Sequence, residues 1–238
     1  MAKKPIITGD RVEIVYSPER WEILKGLRRQ AKEIMAALVS HQISSVVHGS
    51  VARGDVSKES DVDILIPNTV SSFRVELALK SAGFSFYSRE IVQATPGHSM
   101  KAHIYLNYQT VVTFPLIRLR RLEYEFYMFG GTVSVQELEK DVRVDGVDKR
   151  LMLIEPTDAG HIESPIVGNE STAAKILGVS VDIVNERIRV LTKRDEGGRT
   201  GIFLKRIMKE GEVFEEILKQ IGDRDPAVKR RLREEKSR

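Results

Sequence analysis

The stretch that decides the fold is His48-Gly49-Ser50-Val51-Ala52-Arg53-Gly54-Asp55-Val56-Ser57-Lys58-Glu59-Ser60-Asp61-Val62-Asp63-Ile64-Leu65-Ile66. A short apolar run, Ile43 to Val47, precedes it and a second, Val62 to Ile66, closes it. It therefore reads as strand, turn with a helix start, strand. Residues two apart in a strand face the same way, so Asp61 and Asp63 project together while Val62, Ile64 and Ile66 turn toward a core. Two carboxylates on one face repel unless a cation lies between them. Hard oxygen donors of this kind favour Mg²⁺ or Mn²⁺, completed by substrate phosphates. Gly49 and Ser50 bring backbone N–H groups and a hydroxyl to the start of a helix, where partial positive charge attracts phosphate.

These residues resemble the signature of the DNA polymerase beta-like nucleotidyltransferase superfamily, in which Gly-Ser precedes a paired-carboxylate strand by roughly ten residues. Arg53-Gly54 and Ser60 extend the likeness, and the pattern points to an archaeal member. The resemblance implies that Gly49 and Ser50 hold a nucleoside triphosphate, that Asp61 and Asp63 bind Mg²⁺ or Mn²⁺ and carry catalysis, and that Arg53 contacts phosphate. It also implies transfer of a nucleotidyl group to an acceptor hydroxyl, with nucleic acid as a candidate acceptor. The competing reading is a surface turn followed by a half-buried strand with two solvated aspartates.

Active members of the superfamily carry a third carboxylate on a later strand, which serves the metal site and the attacking hydroxyl. Here that strand is Thr110 to Leu116. In the pattern of the archaeal CCA-adding enzymes the acid stands three residues before a proline, which is Val112 in this chain. No acid lies between Met100 and Leu122. Glu90, on the preceding strand, is one substitute, and His103 is a weaker candidate base.

With 238 residues, 41% hydrophobic and 30% charged, the chain suits one large or two small globular domains. No apolar run is long enough to cross a bilayer, and the start, Met1-Ala2-Lys3-Lys4, lacks a signal-peptide core, so the expected location is cytoplasmic, without a membrane partner. Zero cysteines exclude disulfides, thiolate metal sites and a cysteine nucleophile. The net charge of +4 is compatible with a polyanionic partner, although much of the surplus lies in the tail Lys229 to Arg238, which reads most simply as a solvated helix end.

The rest of the chain reads as α+β, a small mixed sheet with helices. Ser17-Pro18 starts a helix running to about Ser40. Ser71 or Ser72 caps another that ends at Gly83, and strands are expected over 84–94 and 101–114. The nucleotidyltransferase-like domain is expected over residues 1–122. A connecting β and aromatic region follows over 123–163, with Arg118, Arg120 and Arg121 leading into Tyr124, Phe126, Tyr127 and Phe129, and with Asp145-Gly146 as a hairpin turn. Residues 164–238 are expected to form a helical, winged-helix-like region. There Ala174, Gly178, Val184 and Ile188 resemble a helix-turn-helix, Ser180 is placed as a cap, and residues 195–201 are placed as a wing. Helix-turn-helix shapes serve DNA binding and protein packing alike. The alternative function is therefore a nucleotide-sensing or DNA-binding regulator with a degenerate transferase domain, and a weaker third reading is an accessory partner acting in a complex.

Overall fold

The computed structural model describes residues 4–197 and 201–236. In chain order the elements are β1 (Val12–Val15), α1 (Pro18–Val39), β2 (Val46–His48), α2 (Ser50–Arg53), β3 (Val62–Leu65), α3 (Ser72–Ser81), β4 (Ser88–Gln93), β5 (Lys101–Asn107) and β6 (Thr110–Pro115). There follow α4 (Arg121–Phe129), β7 (Thr132–Ser134), α5 (Val135–Glu139), β8 (Gly146–Val147), β9 (Met152–Thr157) and β10 (Gly160–Pro165). The chain closes with α6 (Glu170–Leu177), α7 (Val181–Gly197), β11 (Leu204–Ile207), α8 (Phe214–Arg224) and α9 (Pro226–Lys236). This is the α+β class that the sequence implied.

Two compact units interleave along the chain. The first comprises residues 1–32, 47–62 and 124–200, and the second 33–46, 63–123 and 201–238. The expected linear boundaries near 122 and 163 follow chain order. Each unit is assembled from three separated segments, with α6 and α7 in the first and β11, α8 and α9 in the second.

In the first unit an antiparallel sheet runs in the order β1-β10-β9-β8, and β2 neighbours β7. Strand β1, Val12-Glu13-Ile14-Val15, is an element not expected from the sequence; three of its four residues are exposed. Its pairing with β10 needs a glycine: a Cβ on Gly160 would stand 1.9 Å from the Ile14 carbonyl oxygen. The expected hairpin at Asp145-Gly146 is overturned. The turn between β8 and β9 is built by Asp148, whose Oδ1 accepts from the N–H groups of Arg150 (2.8 Å) and Met152 (3.2 Å), with Leu151 at φ 64°. Gly146 is small for a different reason, since a Cβ there would meet Gly130 and Arg53 at 2.7 Å.

The helix, turn and helix expected around Gly178 are present as α6 and α7, with Gly178 left-handed at φ 62° and Ala174 and Val184 buried. Ser180, expected as the cap of α7, donates through its hydroxyl and its N–H to Glu125. Residues 195–197 of the expected wing continue α7, and residues 198–200 lie outside the described residues.

In the second unit the strands follow the order β11-β4-β5-β6-β3. One face is apolar. Ile91, Ala102 and Phe114 form one row across β4, β5 and β6, and Ile104 pairs with Val112. Phe214 of α8 meets Phe114 edge to face at 5.7 Å, and Ser72 at the head of α3 donates its N–H (2.7 Å) and hydroxyl (2.6 Å) to Glu215 of α8. Burying this face is the main stabilisation of the unit. Ile207 and Val213 precede α8 and are exposed; Ile207 belongs to the edge strand β11.

Candidate active site

Gly49 bends the chain between β2 and α2. Its φ of 80° and ψ of −144° lie in a region that side-chain-bearing residues avoid. Its own N–H donates to the Gly131 carbonyl at 3.0 Å, and its carbonyl accepts from Ala52 and Arg53. The bend is therefore fixed by backbone bonds on both sides, and what it presents is Ser50. The Ser50 hydroxyl donates to Ser60 Oγ at 3.3 Å, and Ser60 Oγ also accepts from the Ser57 N–H at 2.9 Å. This chain of hydroxyls ties the glycine-serine bend to the residue immediately before Asp61.

Arg53 is placed differently from its expected phosphate contact. Its guanidinium is buried and makes a two-pronged pair with Asp55, Nε to Oδ1 at 2.9 Å and Nη2 to Oδ2 at 3.0 Å. Nη1 donates to the Gly130 carbonyl at 2.6 Å. These donors serve the α2 turn and the Gly130-Gly131 bend. The motif residue is spent on holding the loop in shape.

Asp61 and Asp63 stand on either side of Val62 at the head of β3. Asp61 is exposed, Asp63 is half-buried, and Val62 and Ile64 are both about 1% exposed. The alternation predicted from sequence is thus present along the strand. Asp63 lies close enough to Tyr105 for its charge to help raise that phenol's pKa; burial is the larger cause and Glu90 the next. As a donor set, two carboxylates at alternate strand positions fit a hard divalent cation that keeps further positions for phosphate oxygens. Among the described residues no group of three or more His, Asp or Glu side chains gathers around one point.

The face of the second unit's sheet opposite its apolar core carries Glu90, His103 and Thr113 in one register row, with Tyr105 and Val111 in the next. This corrects the expectation at Val112. That residue is fully buried on the core face, so an acid there would point into hydrocarbon, and the residues of β6 that share the Tyr105 and His103 face are Val111 and Thr113. Glu90 is no substitute. It lies on β4, three strands from β3, which is about 14 Å at the usual strand spacing, and it pairs with Lys205 at 2.9 Å.

His103 bonds through Nδ1 to Thr113 Oγ1 at 2.8 Å. Burial first, and then Lys101 and Lys205, push its pKa down to about 4, so the ring is neutral at physiological pH. No short-range pattern marks this row, because the pairing of positions 90, 103 and 113 depends on strand register.

His161 Nδ1 and the Tyr16 hydroxyl are hydrogen-bonded at 2.7 Å, and Glu163 accepts from Arg150 at 2.5 Å. Among the described residues no helix is long and apolar enough to cross a membrane. Residues 28–114 match the family model described as nucleotidyltransferase domain. No curated protein and no solved structure matches the chain.

Proposed function

We propose, from the premise that residues 28–114 are a nucleotidyltransferase domain fitting a member of the DNA polymerase beta-like superfamily, that the protein transfers a nucleotidyl group from a nucleoside triphosphate to an acceptor hydroxyl with the help of Mg²⁺ or Mn²⁺. The observation that carries the reading is the Asp61-Val62-Asp63 alternation, tied through Ser60 to the Gly49-Ser50 bend. In this reading Asp61 and Asp63 hold the divalent ion. The hydroxyl and N–H of Ser50 meet the triphosphate, and Gly49 supplies the bend that presents them. The ion, when bound, neutralises phosphate charge and polarises the reacting phosphorus. The side chains contribute placement, which is where most of the barrier lowering in phosphoryl chemistry originates.

The test is titration calorimetry of nucleoside triphosphates in Mg²⁺. The double variant Asp61→Asn, Asp63→Asn is expected to lose metal-dependent binding while its circular dichroism is unchanged. Binding that survives in that variant refutes the assignment.

A second reading is favoured by one observation, the placing of Val111 and Thr113 on the strand face where a third acid is wanted. In it the domain senses nucleotide without transferring it, and α6 and α7 serve a regulatory role such as DNA binding. Release of pyrophosphate from labelled triphosphates with Mg²⁺ or Mn²⁺ separates the two. Turnover supports transfer, whereas tight binding without turnover supports sensing.

A further inference from the structure

The second unit brings two basic segments together. The run Arg118-Leu119-Arg120-Arg121 leaves β6 and enters α4 with its three arginines exposed. Against it lies α9, whose Arg231 donates from Nη2 to Ser99 Oγ at 3.1 Å and to the Arg118 carbonyl at 3.4 Å. The two segments are distant in sequence, and this clamp makes them neighbours. Lys229, Arg230 and Arg233 of α9 are exposed.

Two acids beside these segments, Glu123 and Asp225, are held by backbone N–H groups. Glu123 is 6% exposed and accepts from the Ser99 N–H (2.9 Å), the Ser99 hydroxyl (2.7 Å) and the Arg120 N–H (3.0 Å). Asp225 accepts from the N–H groups of Ala227 and Val228 at the start of α9. These two carboxylates are used to shape the backbone, and six basic side chains of the two segments, Arg118, Arg120, Arg121, Lys229, Arg230 and Arg233, stand on the exposed surface. The apolar side chains of α9 also face in: Val228 is fully buried, and Leu232 lies over Gly222.

We propose that the Arg118–Arg121 run and the outward side of α9 form a docking surface for the phosphodiester backbone of a nucleic acid. Guanidinium forks match phosphate oxygens two at a time. Lys229 and Arg233 are separated by about 6 Å of helix rise, so the cations are laid out along a line. A bilayer surface is the poorer fit, because a helix that enters lipid presents an apolar side beside its cations, and α9 turns that side to the protein. The inference does not depend on the transfer chemistry, since it concerns affinity and needs neither triphosphate nor metal.

The test is fluorescence anisotropy of the full chain with labelled mixed-sequence single-stranded RNA, single-stranded DNA and duplex DNA, at 50 and 200 mM KCl without nucleotide or metal. Expected is binding that weakens steeply with salt. The variant Arg118→Ala, Arg120→Ala, Arg121→Ala is expected to lose at least tenfold in affinity and to reduce the single-strand salt slope by about 2, the amount for three lost phosphate contacts. The α9 variant Lys229→Ala, Arg230→Ala, Arg233→Ala is expected to behave likewise. The control Lys25→Ala, Arg29→Ala, Lys175→Ala removes the same formal charge from exposed positions of the first unit and is expected to change affinity less than twofold. The three probes decide which nucleic acid fits best.

No binding at 50 mM KCl, or equal losses in the control and the patch variants, overturns the proposal. So does tighter binding to vesicles containing anionic lipid than to any of the three nucleic acids. The Asp61→Asn, Asp63→Asn variant is expected to bind nucleic acid normally, so failure of the docking surface and failure of the transferase reading are seen separately.

Discussion

Glu90 and Lys205 are joined across the β4–β11 edge, Oε1 to Nζ at 2.9 Å, with the carboxylate buried and the ammonium about half exposed. The pair explains how an acid tolerates a place between His103 and the sheet edge. It also removes Glu90 from consideration as a metal ligand for β3. Breaking a pair by deleting one partner leaves the other charge uncompensated, and the wet side of this pair moderates that cost. Lys205→Ala is expected to lower stability by about 2 kcal/mol, read from urea midpoints. The double variant with Glu90→Gln is expected to recover most of the loss, and Glu90→Gln alone to leave transfer per folded molecule unchanged.

Arg53 and Asp55 give a second expectation, because both side chains are buried and the guanidinium uses both prongs. Arg53→Ala leaves Asp55 buried without its partner and is expected to cost about 3–5 kcal/mol. Arg53→Lys is expected to rescue little, since a single ammonium cannot reproduce the fork and the bond to Gly130. Thermal unfolding measures the loss. If Arg53 held phosphate instead, the variants would unfold normally and lose triphosphate affinity.

Replacement of Gly160 by alanine places a Cβ where the Ile14 carbonyl oxygen already lies. Backbone cannot move aside as a side-chain tip can, so β1 is expected to detach from β10. Faster amide exchange at Glu13 to Val15, with the second unit's amides unaffected, is the measurement. Normal protection of β1 in Gly160→Ala would refute the steric account.

His103 sets a pH dependence. Its folded pKa of about 4 lies below the ordinary value of 6.5, through burial first and then Lys101 and Lys205, with Thr113, Tyr105 and Glu90 as its other neighbours on that face. Between those pH values the unfolded chain takes up a proton that the folded chain refuses. Stability from this source is therefore complete above about pH 6.5 and is lost as pH falls toward 4. His161, also lowered chiefly by burial, adds in the same direction. Urea midpoints between pH 4.5 and 7 are expected to fall on acidification, and to fall less in His103→Gln.

Short-range pattern made much of this protein legible from its residues alone. The Ser17-Pro18 start and apolar spacing of α1, the apolar runs that became β2 and β3, the Gly178 turn between α6 and α7, and the Gly49 to Asp63 motif all depend on neighbours within a few residues, and the chain's own stereochemistry decides them. Asp61 and Asp63 belong to that class, because strand alternation is a local property.

The tertiary structure decided whatever depends on partners far along the chain. Arg53 looked like a ligand contact until Asp55, Gly130 and Gly146 closed around it. Val112 looked like an acid's place until strand register turned it to the core. The row of Glu90, His103 and Thr113, and the meeting of Arg118 with Arg231, join positions that no periodicity links. Register and long-range pairing settle which face a side chain occupies, and the energy that selects them comes from burying apolar surface across the whole sheet, which no short window of sequence contains.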